Sequence, residues 1–371
     1  MLMNPSLSYD TVIVGGGLVG AAVACGIAAT GAKVAVLDGS DRDFRASRGN
    51  FGLIWVQGKG ADFPAYARLS GEAARQWSDF SDELHDATGI DVGLQQTGGY
   101  DFCLSEEEWQ AREWEMRQVA LHTEGEFEYQ MLATEELRQR IPEVSGEVLG
   151  ASYSATDGHV NPLYLLRALH QRMHDLGVDY GPGQAVQSSR RQSNEFIVST
   201  LIGDYHCDRV VFCAGLSNQR LCRDLDMHIP VQPLRGQLLI TDRVPAFLPA
   251  ATLQVRQTRE GTLQIGDSHE DVGLDESTTL EVITRLARRA VRIFPHLAPV
   301  RLNRAWGALR VMTPDGVPIY HQSAENPGAY AISCHSGVTL AALHAREIAN
   351  WICSGAQDPL IAPFSAERFH V

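Results

Sequence analysis

The stretch Thr11–Gly20, with the sequence TVIVGGGLVG, decides the fold of this chain. Four residues of a short buried strand lead into glycines at 15, 17 and 20, in the pattern G-x-G-x-x-G. The first glycine permits a tight turn, the second lets a pyrophosphate approach the backbone, and the third lets the helix pack closely on the strand. The pattern therefore predicts a dinucleotide at the start of the next helix, whose unpaired N–H groups favour phosphates.

The residues that follow complete one strand–turn–helix–strand unit. Val19, Val23 and Ile27 share one helix face, the helix ends near Gly31, and a second buried strand over residues 33–37 ends in Asp38. An acid at this distance from the glycines is placed to hold a ribose hydroxyl and disfavours a 2′-phosphate. FAD and NAD share this pattern, and a glycine turn with nothing bound remains the alternative.

Length and charge limit the classes of protein to which the chain can belong. Its 371 residues exceed what one core usually serves, so two domains are expected. The formal charge of −14 argues against nucleic acid or an anionic membrane as the main partner. No window approaches 18 uninterrupted apolar residues, so no transmembrane segment is expected, and the first ten residues show no signal peptide.

Cysteine usage indicates a reducing compartment. The seven cysteines form no C-x-x-C pair and lie in apolar surroundings, which is typical of reduced core thiols in a cytoplasmic protein. The spacing offers no iron–sulfur or zinc site, so no metal is predicted in this chain.

The pattern of apolar residues predicts an α/β plus α+β architecture of two regions. Helical spacing runs from Ala65 to Gly89, from Ser105, and from Asn161 to Gly177, and alternating strands with one long helix occupy residues 229–311. We assign residues 1–92, 144–228 and 312–371 to a discontinuous cofactor-binding domain. Residues 93–143 and 229–311 then form a substrate domain built on an antiparallel sheet.

Two further segments are candidates for contact with the ligand. Residues 45–60 are rich in glycine yet carry large apolar groups, which favours backbone packed against a flat ligand over a buried irregular connection. After a predicted strand over 329–333, the tight turn His335–Thr339 opens a second helix, whose start can stabilise partial negative charge.

Together these pieces resemble the D-amino-acid-oxidase-like superfamily of FAD-dependent amine oxidoreductases, which includes glycine oxidase and sarcosine oxidase. Within it the chain looks closest to the β subunits of heteromeric D-hydroxyproline dehydrogenases and opine (octopine or nopaline) oxidases. The resemblance covers nearly the whole chain, and it rests on Gly15–Gly20 with Asp38, Ala46–Gly60, Asp157–Pro162, Val210–Gly215, Pro233–Gln237, Trp306–Pro318, Cys334–Ala342 and Phe364–Phe369.

The resemblance implies a Rossmann-like domain of the glutathione-reductase type that binds FAD. Ala308 stands where some relatives carry a cysteine that bonds the flavin, so FAD is expected to be non-covalent. The backbone of residues 337–339 would face the flavin N1/O2 edge, and the backbone near Val186 would meet the adenine. The expected cofactor-binding residues are Gly15, Gly17, Leu18, Val19, Gly20, Asp38, Gly39, Arg45, Ala46, Ser47, Arg48, Gly49, Asn50, Phe51, Gly52, Val186, Cys213, Ala214, Gly215, Arg310, His335, Ser336, Gly337, Val338 and Thr339.

The resemblance also implies a substrate-binding arginine, for which Arg310 is the match in this chain. Its planar fork can hold a carboxylate through two parallel hydrogen bonds, and the alternative is that Arg310 pairs with a nearby acid such as Asp315. Asn50 and Arg256 are second-rank catalytic candidates. The expected reaction is hydride transfer from the α-carbon of a neutral amine to flavin N5, with neither His159 nor His269 assigned as a base.

The relatives pair this subunit with an α subunit and in some cases with a small iron–sulfur protein. The expected function is therefore oxidation of D-hydroxyproline, D-proline or an opine by the catalytic β subunit of a heteromeric dehydrogenase or oxidase. Three alternatives stay open: a stand-alone glycine, sarcosine or D-amino acid oxidase that makes peroxide, a non-catalytic subunit that holds flavin, and an NAD-dependent dehydrogenase.

Overall fold

A computed structural model describes residues 7–39, 46–266 and 268–369 of the chain. In chain order its strands are β1 (Leu7–Val14), β2 (Val34–Leu37), β3 (Leu53–Ile54), β4 (Gly99–Cys103), β5 (Gln130–Ala133), β6 (Gly150–Ser154), β7 (Gly158–His159), β8 (Asp179–Gly181), β9 (Val186–Gln192), β10 (Glu195–Thr200), β11 (Gly203–Phe212), β12 (Gln232–Arg243), β13 (Ala251–Thr252), β14 (Val255–Gln257), β15 (Thr262–Ile265), β16 (Leu302–Met312), β17 (Ile319–Gln322) and β18 (Ala329–Ser333).

Helices alternate with these strands. They are α1 (Leu18–Ala28), α2 (Ala46–Gly49), α3 (Pro64–Arg75), α4 (Trp77–Thr88), α5 (Glu106–His122), α6 (Thr134–Arg140), α7 (Pro162–Asp175), α8 (Asn218–Leu221), α9 (Leu280–Ile293), α10 (Ala341–Leu343) and α11 (Ala349–Ser354). Several single 3₁₀ turns connect them. No helix within the described ranges is long and apolar enough to cross a membrane.

The largest sheet has the strand order β17-β18-β11-β1-β2-β8, with the β9–β10 hairpin attached to β11. Its five strands from β18 to β8 pair in parallel, and β17 is antiparallel at the edge. Parallel neighbours need crossover connections, which here carry α1 and much longer insertions. The sheet therefore gathers three distant segments of the chain, as the expected discontinuous Rossmann-like domain requires.

The second region contains two four-stranded sheets. One has the order β14-β15-β12-β16 with all pairs antiparallel, and the other has the order β13-β4-β6-β5. Apolar side chains of both sheets share one buried cluster with α9, whose members include Phe102, Leu239, Ile265, Leu286 and Phe294. The expected α/β plus α+β class is confirmed.

Three local differences separate the structure from the sequence analysis. The helical stretch 65–89 is divided into two helices, α3 and α4, which adjoin at Gln76. The short strand β8 has no counterpart in the predicted pattern. Strand β6, which falls within the segment 144–228, pairs with β4 and β5, so the sheets place it with the second region.

Several helix ends follow their sequence signals. Ser105 accepts the amide of Glu108 at the start of α5, at 3.2 Å. Asn161 accepts two amides of the first turn of α7, and Gly89 ends α4 with a φ of 69°. Each residue satisfies backbone groups that a helix end leaves without partners.

The helix after β18 is not regular. Residues His344–Ile348 between α10 and α11 form a π-helical turn, which contains one more residue than an α-helical turn. This turn carries the carbonyl group of Ala345 against Gly26 of α1, where any Cβ would overlap the oxygen. The π-turn therefore lies at the contact between the two helices whose starts face the candidate site.

Candidate active site

At each of the three motif glycines, a different structural feature excludes a side chain. Gly15 has a φ of +106°, and a Cβ there would lie 2.6 Å from the carbonyl oxygen of Cys213. A Cβ on Gly17 would lie 2.7 Å from Ser47 Oγ, and one on Gly20 would overlap the carbonyl oxygen of Gly15. A side chain is thus excluded at Gly15 by the turn, at Gly17 by Ser47, and at Gly20 by the contact of the helix with the strand end.

Polar groups surround the start of α1. The Leu18 amide donates to Ser47 Oγ at 2.9 Å, so a hydroxyl from α2 satisfies the first helical N–H. Asp38 at the end of β2 is 6% exposed, accepts the amide of Gly39 at 2.9 Å and lies 3.4 Å from the hydroxyl of Tyr180. This pairing holds the carboxylate beside the glycine turn, as a ribose-binding acid requires.

A cavity of about 390 Å³ extends from these groups. Of the expected cofactor-binding residues it is lined by Gly15, Gly17, Leu18, Val19, Asp38, Gly39, Ala46, Ser47, Asn50, Val186, Cys213, Ala214, Gly215, His335, Gly337 and Val338. A second cavity of about 300 Å³ adjoins it and is lined by Gly49, Phe51, Gly52, Arg310, Ser336 and Thr339, among others. The two share six wall residues, Ala46, Asn50, Leu309, Val311, His335 and Val338, so they form one elongated site.

Three of the expected residues that the structure describes line neither cavity. Gly20 acts through helix packing, while Arg48 and Arg256 line neither cavity. Arg45 lies outside the described residues. The direct roles expected of Arg48 and Arg256 at the ligand therefore stay predictions that the cavity walls do not support.

The turn at 335–339 is held by side chains from the first hundred residues. The hydroxyl of Tyr66 lies 2.8 Å from Ser336 Oγ, and the indole N–H of Trp77 donates to the Thr339 carbonyl at 3.1 Å. Thr339 Oγ1 also accepts the amide of Trp55 at 3.1 Å. The amides of residues 337–339 precede the first hydrogen bond of the helical segment, from the Leu340 amide to the Ser336 carbonyl.

His335 is exposed to the cavity rather than packed in the core. Even so, the surrounding protein and the charges of Lys59 and Arg310 lower the pKa of its imidazole to about 3. Its Nε2 lies 3.3 Å from Ser336 Oγ. His335 is therefore neutral at pH 7 and acts at this wall as a hydrogen-bonding group rather than as a cation.

Arg310 lies on β16 at the wall of the smaller cavity. Its Nη1 donates to the carbonyl oxygen of Ser268 at 2.8 Å. A Cβ on Gly236 of the paired strand would lie 2.6 Å from the guanidinium, so the glycine makes the room in which Arg310 packs. Asp315, the alternative partner, instead pairs with Arg368 at 2.8 Å.

Arg256 occupies a buried network one step from the cavity. Its guanidinium donates to Gln264 Oε1 at 2.6 Å and to the Val160 carbonyl at 3.1 Å, and burial lowers its pKa to about 10. Gln264 in turn donates to the Asn50 carbonyl at 3.2 Å. Arg256 therefore orders the segment that carries Asn50 without reaching the cavity.

Asn50 lines both cavities, although its side chain is used locally. The amide nitrogen donates to the Ser47 carbonyl at 3.0 Å, and the amide oxygen accepts the Gly52 amide at 2.8 Å. Asn50 thus shapes the loop after α2, and its backbone forms part of the wall.

Two wall residues were missed as functional candidates. Lys59 lines the smaller cavity, although in the sequence it is only one member of the glycine-rich stretch 45–60, and His269 lines the same cavity without an expected role. The signal that points to Lys59 is compositional: the sequence has two lysines, Lys33 and Lys59, against 29 arginines.

The site fits the FAD that the resemblance implies. Gly15 and Gly17 leave a backbone surface where any Cβ would meet neighbouring atoms, the carboxylate of Asp38 lies beside it, and the joined cavities fall in the size range of cofactor sites. Ala308 lines the smaller cavity with a methyl group, which cannot form a covalent bond to the cofactor. No cluster of three metal-binding side chains occurs in the part of the chain that the structure describes.

Comparison with known proteins agrees with this geometry. Residues 10–351 match the family model described as "DAO: FAD dependent oxidoreductase". The chain is 43% identical to the B subunit of opine oxidase from Agrobacterium tumefaciens (strain Ach5), over 97% of this chain and 98% of that protein. It is also 43% identical to the B subunit of opine oxidase from Rhizobium meliloti, over 97% of each.

Among solved structures, glycine oxidase from Geobacillus kaustophilus superposes with a TM-score of 0.88 at 23% identity, over 97% of this chain and 98% of that one, and this likeness concerns the fold. The extent of the family match and the identity to two curated relatives agree with the glycine turn, the second helix start and the joined cavities. The chain belongs to the DAO family of FAD-dependent oxidoreductases.

Proposed function

We propose that this chain is the catalytic, FAD-bearing subunit of a heteromeric enzyme that oxidises a secondary amine carrying a carboxylate. The substrate class is an opine, with D-hydroxyproline or D-proline as the second candidate. The observation that carries the proposal is Arg310 on the wall of the cavity that adjoins the dinucleotide-binding end. The 43% identity to the B subunits of two opine oxidases supports the opine class.

Arg310 gives the proposed substrate its orientation. A guanidinium presents two parallel N–H donors to a carboxylate, which fixes both position and rotation. The bond of its Nη1 to the Ser268 carbonyl and the space above Gly236 keep the guanidinium in one place. A carboxylate held there leaves the α-carbon of the substrate to approach the part of the site between Arg310 and the turn at 335–339.

When bound, FAD supplies the hydride acceptor of the reaction. This chain contributes positioning and exclusion of water, because the apolar wall residues Phe51, Leu238 and Met312 surround the polar groups. No protein base is needed once the amine is neutral. Neither His335 nor His159 suits the role of a base, because the surrounding protein lowers the pKa of each imidazole to about 3 and so makes it a weak proton acceptor.

The partner is inferred from the relatives. Both are named as one subunit of opine oxidase, which implies an enzyme of more than one subunit. We propose an α subunit that passes electrons onward, with a small iron–sulfur protein as a further component and a cytoplasmic location for the assembly.

Anaerobic bleaching of the flavin tests the substrate. The purified holoprotein is mixed with octopine, nopaline, D-hydroxyproline, D-proline, glycine and sarcosine, and absorbance near 450 nm is followed in a stopped-flow instrument. We expect an opine or a D-proline derivative to bleach the flavin fastest. Fastest bleaching by glycine, a primary amine, would overturn the proposal, and fastest bleaching by sarcosine would overturn the assignment to opines or D-proline derivatives.

A second experiment tests the heteromeric assembly. The chain is expressed alone and together with a candidate α subunit from the same source, and each sample is examined by size exclusion and peroxide assay. We expect turnover to need the partner. A lone monomer that turns over and makes peroxide at full rate would show a stand-alone oxidase, whereas bleaching by no substrate in either sample would favour a flavin-holding subunit.

A further inference from the structure

Lys59 is a charged residue of the smaller cavity to which the proposed function assigns no role. It follows β3 and lines the same cavity as Arg310 and His335, partly exposed to that cavity. Its ammonium group donates to Thr339 Oγ1 at 3.0 Å. A lysine is rare in this chain, because 29 of the 31 basic residues are arginines.

The hydrogen bond fixes the ammonium group at the start of a helical segment. Thr339 Oγ1 already accepts the Trp55 amide and donates to the Leu53 carbonyl, at 3.1 and 3.4 Å, so the threonine hydroxyl is held in place. The Lys59 amide also donates to the Val56 carbonyl at 3.0 Å, which makes the lysine part of a tight turn. A long flexible side chain is thereby held beside the backbone of residues 337–339.

A buried carboxyl group acts against the loss of charge on this lysine, and burial raises the pKa of that carboxyl group, Asp157, to about 7. Asp157 accepts the Val56 amide and the side-chain amide of Gln57, each at 2.6 Å, and is fully buried. Burial lowers the pKa of Lys59 to about 8, while the charge of Asp157 acts in the opposite direction. The positive charge of Lys59 reaches as far as His335, whose pKa it helps to lower.

We propose that Lys59 is the cation that, with the backbone of residues 337–339, sets the electron affinity of the bound FAD. Reduction of a flavin gathers negative charge at its N1/O2 edge, and a cation fixed in a cavity of low dielectric stabilises that charge. A lysine suits this position because its charge is concentrated at one atom, whereas the charge of a guanidinium is spread over a plane. The inference needs bound FAD alone and does not depend on the proposed substrate.

The test measures the reduction potential of the holoprotein against a reference dye, during slow anaerobic reduction by xanthine and xanthine oxidase. Lys59→Met and Lys59→Gln remove the charge, and the glutamine variant can keep the hydrogen bond to Thr339. We expect both to lower the two-electron reduction equilibrium constant tenfold to hundredfold, which is a fall of about 30 to 60 mV. Lys59→Arg keeps a charge and is expected to retain most of the potential.

Lys33→Met is the matched control, since it removes the other lysine of the chain. Lys33 is exposed, and its ammonium group lies over the ring of Tyr9, outside both cavities. We expect the control to keep the wild-type potential.

Two results would overturn the inference. One is a wild-type potential in either neutral variant with normal FAD content and melting temperature, which would leave Lys59 as a structural or proton-transferring residue. The other is loss of FAD from both neutral variants but not from Lys59→Arg, which would make the lysine a residue for cofactor retention. Because no amine is added, failure of the substrate proposal leaves these measurements unaffected.

Discussion

The two ends of the site are built by different means. At the phosphate end, Gly15, Gly17 and Gly20 of one continuous stretch form the surface. An added Cβ would meet a backbone oxygen at Gly15 and at Gly20, and the Ser47 side chain at Gly17. At the end proposed to bind the substrate, here called the substrate end, Arg310, His269 and Lys59 come from separate parts of the chain and line one cavity. A backbone surface of this kind tolerates few residue types, whereas a wall of side chains can change one residue at a time.

The largest expected effect comes from a methyl group at Gly20. Gly20→Ala places a Cβ into the carbonyl oxygen of Gly15, and neither backbone can move without disturbing the turn. We expect loss of bound FAD and a destabilisation of about 3 kcal/mol, the upper part of the range for overpacking. Flavin absorbance after gel filtration and the melting temperature measure both.

Gly71→Ala is the control for that change. Gly71 lies within α3, where the atom nearest to an added Cβ is 3.7 Å away, at the end of the Arg75 side chain. We expect unchanged or slightly raised stability, because alanine favours a helix over glycine. Equal damage from both alanines would show that the phosphate end does not depend on close backbone contact.

The next effect concerns the substrate end alone. Arg310→Ala removes the proposed partner of the substrate carboxylate. Truncation of one member of a buried charge pair costs about 2 kcal/mol or more. This cost corresponds to a fall of about 30-fold in the rate constant of flavin reduction divided by the substrate dissociation constant. We expect this loss in anaerobic flavin reduction, with FAD content unchanged. Arg301→Ala, which removes an exposed arginine just before β16, is expected to leave the reaction unchanged.

If Arg310→Ala reduced its flavin at the wild-type rate, the arginine would have no part in substrate binding. A parallel loss of FAD would instead support the cofactor-binding role that the resemblance also implies for Arg310. Either outcome would weaken the distinction between the two ends.

A pH experiment compares a buried histidine of the helical segment after the 335–339 turn, His344, with an exposed histidine, by their effects on the free energy of unfolding. His344 is fully buried against the hydroxyl of Tyr320, at 3.1 Å, and burial lowers its pKa to about 3. The unfolded chain binds a proton with the ordinary pKa of about 6.5, so the unfolded state gains protons first and stability falls as the pH drops below 6.5. At pH 5 this one residue accounts for about 2 kcal/mol of lost stability.

Urea unfolding of the wild type and of His344→Gln at pH 7 and pH 5 measures this contribution. We expect the acid-induced loss to be smaller in the variant by about 2 kcal/mol. His174→Gln, which removes a histidine with a side chain 84% exposed, is expected to behave like the wild type. An identical acid response in all three proteins would contradict a neutral, buried His344.

The smallest expected effect concerns a hydrogen bond between β16 and α2. The indole N–H of Trp306 on β16 donates to the Gly49 carbonyl in α2, at 3.1 Å. Trp306→Phe removes one neutral hydrogen bond, worth about 1 kcal/mol. The urea midpoint is expected to fall accordingly, while Trp114→Phe, at a position 48% exposed, is expected to leave it unchanged.

The phosphate end and the discontinuous main sheet could be predicted from the sequence, because glycine spacing and buried runs report local backbone needs. The division of 65–89 into α3 and α4 could not, since the apolar spacing continues across Gln76. The placement of β6 beside β4 and β5 depends on pairing across distant segments, which no local pattern encodes.

At the substrate end, the sequence indicated Arg310 through a family motif, but its surroundings depend on strand register. The pairing of β12 with β16 brings Gly236 beside the guanidinium, and Arg368 near the end of the chain takes Asp315. Arg256 was a second-rank catalytic candidate in the sequence, yet Gln264 and Val160 accept its hydrogen bonds inside the fold.

The π-helical turn at His344–Ile348 separates the residues that line the site from the residues that pack on α1. A single extra residue rotates everything downstream by about 100° relative to a continuous α-helix, since each residue turns the chain by that angle. Residues 337 and 338 before the turn can therefore line the site while α11 packs on α1. Deleting one residue here would restore a uniform helix, in which either the redox site or the packed core would lose its alignment.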